Sequence, residues 1–146
     1  MRLKTAKQLP LKQPAVNHKK NDEYLEISKI LSENPLLIDM VHEDLTGHIT
    51  NEKRGARGMT SDQVLRALII KTIEGYSYER LAFHLNDSGT FRYFCNIGIA
   101  DKPLKKTAIS DNIKKIKPDT LAMINTFLVL GAREDKTETG REVRID

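Results

Sequence analysis

Lysines crowd one short stretch of this 146-residue chain. Lys102, Lys105, Lys106, Lys114, Lys115 and Lys117 stand against the single acid Asp111, so residues 102–117 carry a net charge of +5. Thr107 and Ser110 lie among them, and their short hydroxyls can donate and accept hydrogen bonds. Ammonium groups neutralise phosphate and short polar groups reach base edges, so this mixture suits recognition of a nucleic acid duplex. On a helix over residues 107–116, turning 100° per residue, Ile109, Ile113 and Ile116 share one face. Thr107, Ser110, Asp111, Lys114 and, near the edge, Lys115 lie opposite, while Asn112 falls towards the buried edge. Asp111 repels phosphate, and its one favourable role is to accept from a cytosine amino group. Taken alone, the pattern fits a solvated basic face equally well; its position after two short helices favours the DNA reading.

Other chemistry has less to stand on. His18, His42, His48 and His84 show no metal-ligand spacing with Cys95, and no glycine-rich phosphate loop is present. His42 and His48 read as ordinary surface or loop histidines. Cys95 is the only cysteine, which excludes an intramolecular disulfide and fits a reducing cytosol. Set between Phe94 and Ile97, it reads as an inert core thiol, because apolar burial raises a thiol's pKa.

The elements that must hold the lysines follow from composition and periodicity. A chain of this length makes one domain and buries roughly two-thirds of its unfolded surface. The formal charge of +4 averages unlike parts. Residues 1–20 carry six Lys or Arg and no acid, while the chain outside the two basic zones is net acidic. No run approaches the roughly 18 apolar residues of a membrane span, and the start lacks a signal peptide's hydrophobic stretch, so a cytoplasmic protein without a membrane partner is expected.

Residues 1–20, with Pro10 and Pro14, read as a flexible basic arm, either a solvated tail or an arm that orders on DNA. Residues 21–132 read as a helical domain. Asn21 and Asp22 are cap candidates for a helix carrying Tyr24, Ile27, Ile30 and Leu31, and Asn34 with Pro35 opens a second, which Gly47 ends. Residues 49–58 read as a flexible basic loop. Thr60 and Gln63 form a capping box before the very apolar residues 64–73, expected as the central buried helix and terminated by Gly75. Ser77 caps a fourth helix, broken at residues 86–89, and Phe91, Tyr93, Phe94 and Cys95 form a short aromatic helix that belongs to the core. Lys102 and Pro103 lead into the basic helix. Pro118 and Asp119 then start a last helix, with Leu121, Ile124 and Leu128 on one side, ending at about Gly131. Residues 133–146 read as a charged connector and a strand, since Val143 and Ile145 alternate with polar neighbours.

Residues 59–71 (MTSDQVLRALIIK), 74–85 (EGYSYERLAFHL) and 91–95 (FRYFC) together resemble the N-terminal, InsH-like domain of bacterial insertion-sequence transposases. So do 101–103 (DKP) before a Lys-Lys-Thr helix, 113–118 (IKKIKP) and 140–146 (GREVRID). The resemblance runs from about residue 22 to the end. It implies an all-α helical bundle with a helix-turn-helix-like unit that binds transposon-end double-stranded DNA. In the family a ribonuclease-H-like domain follows, in which three carboxylates hold two divalent metals, with Mg2+ expected for a complete member. The resemblance places the first catalytic Asp on Asp146, at the end of a short strand that would start that domain. One carboxylate cannot hold two metals, so this chain alone is expected to take no cofactor and to cut no DNA.

Three function classes remain open from sequence. One is DNA binding, with Lys102, Lys105, Lys106, Thr107, Ser110, Lys114, Lys115 and Lys117 as contacts. Another is a helical oligomerisation module that pairs with itself or with a full-length transposase. The third is an enzyme fragment, completed by a second reading frame that carries the other carboxylates.

Overall fold

The computed structural model describes residues 3–5, 18–47 and 58–139, and these fold as an all-α bundle. In chain order the helices are α1 (His18–Glu33), α2 (Leu36–Thr46), α3 (Ser61–Glu74), α4 (Tyr78–Asp87), α5 (Gly89–Phe94), α6 (Lys106–Lys114) and α7 (Pro118–Thr139). Of the loop expected at residues 49–58, residues 49–57 lie outside the described residues, as do the strand expected at 141–146 and its Asp146.

The most apolar segment becomes the centre. Val64, Leu65, Ala67, Leu68, Ile69 and Ile70 are all buried in α3, which packs against α2, α4 and α6. Apolar residues on most sides of a helix require neighbours on most sides, and α3 has them. Its start is the expected capping box: Gln63 N–H donates to Thr60 Oγ1, and Thr60 N–H donates to Gln63 Oε1, both at 3.1 Å. Its end is Gly75 at φ 69°, a left-handed conformation that costs glycine little and other residues more. Ser77 caps α4 by accepting from Arg80 N–H. Ser88 both closes α4, through its N–H to the His84 carbonyl, and opens α5, through its hydroxyl to Phe91 N–H.

Several boundaries differ from the sequence expectation for local physical reasons. α1 starts at His18, ahead of Asn21 and Asp22. Its first turn is anchored, because Lys20 Nζ bonds both Glu74 carboxylate oxygens at 2.8 and 2.9 Å and lies over the Phe91 ring. Asn34 does not cap α2. Its amide turns back to the Ile30 carbonyl at 2.8 Å, so it closes α1 instead. α7 runs through Gly131 to Thr139, where a connector was expected. Glycine ends a helix when the chain turns left-handed, whereas here the helix-favouring Ala132, Arg133 and Glu134 follow.

The arm is also tied down where it is described. The carbonyls of Leu3 and Lys4 accept the Ser61 and Asp62 N–H groups, both at 3.0 Å, and Lys4 Nζ pairs with Asp39 at 2.9 Å. Two of the unpaired amides that open every helix are thereby satisfied.

One buried ion pair locks α1, α3 and the turn after α5 together. Asp62 and Arg66, 2.8 Å apart, expose only 7% and 12% of their side chains. Arg66 also donates to Ser28 Oγ and the Phe94 carbonyl and stacks over the Phe94 ring, while Asn96 Nδ2 donates to Asp62. Its partners satisfy the charges, which is the condition for burying them without a large penalty.

Candidate nucleic-acid interface

α6 lies against α3 and α4. Ile109, Ile113 and Ile116 are buried as the spacing requires. Lys102, Lys105, Lys106, Thr107, Asp111, Lys114, Lys115 and Lys117 are exposed. Ser110 is a correction, since only 8% of it is exposed. One position, 100°, separates it from Ile109, and a helix resting on two neighbours is covered over a wider arc than one packing row. A small side chain at the edge of that arc is enclosed. Asn112 is buried too, on the other edge, with its amide donating to the Ala108 carbonyl.

Both ends of the basic segment are held by polar clamps. Before α6, Leu104 N–H donates to Asn86 Oδ1 and Asn86 Nδ2 donates to the Leu104 carbonyl, each at 2.8 Å. Further upstream, Gly98 N–H donates to Asp101 Oδ2 and Arg92 donates to the Gly98 carbonyl. After α6, Lys117 N–H donates at 3.0 Å to the buried Asp44 of α2. That carboxylate sits where α7 begins, and the positive end of the helix dipole favours it there. The lysines therefore project from a backbone fixed to α2, α3 and α4.

Two residues that sequence reading passed over adjoin this face. Lys71 Nζ of α3 lies 4.7 Å from the centroid of the Tyr78 ring, and Lys114 Nζ of α6 lies 5.5 Å from it. Each such contact is worth about 0.5–1 kcal/mol at an exposed site. The signal available in sequence was weak: Lys71 sits in the last turn of a helix read as core, and Tyr78 follows Ser77, the residue read as the cap of the fourth helix.

Among the described residues, nucleophiles and metal ligands are not gathered at this surface. Cys95 is fully enclosed, and burial, opposed in part by Arg66, raises its thiol pKa. Burial, reinforced by the Glu74 charge and hydrogen bond, likewise raises the Tyr24 hydroxyl. His42 is not a loose surface histidine: it is half-buried in α2 with Nδ1 2.8 Å from Ser61 Oγ. His84 stacks on Tyr76 at 4.5 Å, and His48 lies outside the described residues. Among the described residues no group of three or more His, Cys, Asp or Glu is placed to hold a metal ion.

Residues 15–115 match the protein family described as Transposase domain (DUF772). The chain belongs to this transposase-domain family. The match takes in α1 to α6, so the clamped basic segment up to Lys115 is part of the transposase domain, while α7 follows it. This agrees with the resemblance to insertion-sequence transposases carried by the motifs. No curated protein and no solved structure matches the chain. No described helix of the domain is long and apolar enough to cross a membrane.

Proposed function

We propose that this transposase domain binds the double-stranded DNA of transposon ends, with α6 towards the major groove and its lysines on the flanking phosphates. The observation that carries the reading is the set of six exposed lysines, Lys102, Lys105, Lys106, Lys114, Lys115 and Lys117, held on a backbone clamped at both ends. A rigid mount favours base reading, because the cost of ordering the contact surface is met on folding. α4 supports α6 as the first helix of a helix-turn-helix unit supports the second, although α5 intervenes between them. Thr107 is the short side chain placed to reach a base edge. Binding is the activity proposed for these helices; the resemblance assigns Asp146 and Mg2+ to the separate, catalytic chemistry of the family.

Competition binding tests the proposal. A labelled duplex carrying the terminal inverted repeat should resist displacement by a scrambled duplex of the same composition. Equal displacement by both would remove end recognition from the account.

A second reading, pairing of transposase subunits, is favoured by α7. Met123, Val129 and Leu130 are exposed on it at 36%, 39% and 49%, although Ile124 and Leu128 bury its other side. Sedimentation with and without DNA discriminates, since a strict monomer that binds DNA disfavours pairing.

A further inference from the structure

Lys71 belongs to the helix that forms the centre of the core, yet its charge is directed to the same ring as that of Lys114. Three helices converge there, α3 bringing Lys71, α4 bringing Tyr78 and α6 bringing Lys114. Tyr78 is partly buried against the core, so its ring is a fixed support and not a mobile surface group. Neither lysine pairs with a carboxylate among the described residues: Glu74, three residues after Lys71, is held by Lys20, and Asp111, three residues before Lys114, is exposed. The negative face of an aromatic ring attracts an ammonium group, so Tyr78 holds each lysine at a set place beside α6. A phosphate backbone passing this ring is attracted by both charges.

The geometry points to Lys71, Tyr78 and Lys114 as one grip on the DNA backbone, in which Lys71 contacts phosphate and Tyr78 is a positioning residue that holds both lysines towards it. This rests on the reading of α6 as the DNA-facing helix. It extends the contact surface onto α3, beyond the lysine-rich segment itself.

Fluorescence anisotropy on the full chain with a terminal-repeat duplex, repeated across a salt series, tests it. Loss of one phosphate contact in Lys71→Gln should flatten the slope of log affinity against log salt by about 0.9 and weaken binding about eightfold near 0.1 M salt. Lys71→Arg should restore both. Tyr78→Leu should weaken binding about two- to fivefold with the slope kept, and Tyr78→Phe, which retains the ring, should match wild type. Circular dichroism of each variant confirms the fold. If Lys71→Gln superimposes on wild type while Lys114→Gln loses affinity and slope, the grip is overturned and the α6 reading stands. If the wild-type chain binds no duplex at low salt, both fail.

Discussion

The side-chain amide of Asn86 and the backbone of Leu104 form a closed pair of hydrogen bonds, 2.8 Å in each direction, that fixes the start of the basic segment to the end of α4. A single side chain thus serves as both donor and acceptor for a loop that has no regular partner of its own.

Asn86→Ala leaves the N–H and carbonyl of Leu104 without that partner. An unsatisfied backbone group costs about 1–3 kcal/mol where it is shielded from water, so urea unfolding should show a loss in that range. The proposed function adds an expectation: DNA affinity should fall further than stability requires, because α6 loses its mount. Unchanged affinity at temperatures where the variant is folded would show that the clamp is structural only.

Arg66 and Asp62 make the sharpest stability prediction. Replacing Arg66 by Met strands the Asp62 carboxylate and should cost about 3–5 kcal/mol, as breaking one side of a buried pair does. Replacing Asp62 by Asn as well should recover part of that loss. A double variant as unstable as the sum of the singles would contradict the pairing.

The capping box at Thr60, the cap at Ser77 and the left-handed Gly75 were legible because each is set by residues within four positions of itself. The buried rows of α3 and α6 were legible because periodicity alone selects them. Asn34 and Ser110 were misplaced for two different reasons. Asn34 had a competing acceptor in the preceding helix, and the burial of Ser110 depends on α6 resting on two helices at once. The Lys71–Tyr78–Lys114 cluster and the Lys117–Asp44 bond join distant parts of the chain, so no local pattern announced them.

Stability should decline at alkaline pH. The unfolded thiol and phenol titrate from their ordinary values of 9.0 and 10.0, while burial holds the folded Cys95 and Tyr24 above them. Below pH 9 both states keep these protons and nothing is lost. Above it the unfolded chain releases protons that the folded chain retains, so each group removes about 1 kcal/mol per pH unit once it titrates. Urea midpoints between pH 8 and 10.5 should therefore fall, and Cys95→Ala together with Tyr24→Phe should flatten the decline. An equally steep decline in that variant would assign it to other groups.

Substitutions on α6 should separate grip from reading. Lys114→Ala with Lys115→Ala should weaken all duplexes alike, whereas Thr107→Ala should alter preference among them. Ser110→Ala, enclosed in the fold, should leave preference unchanged, as measured by competition among duplex variants. A changed preference in Ser110→Ala would mean that DNA reaches a face that is closed in this structure.

The most direct measurement is the salt dependence of binding by the full chain to a terminal-repeat duplex. With about five phosphates neutralised by the lysines of residues 102–117, log affinity should fall against log salt with a slope near −4 to −5. A slope near zero, or no binding at low salt, would contradict DNA binding through α6.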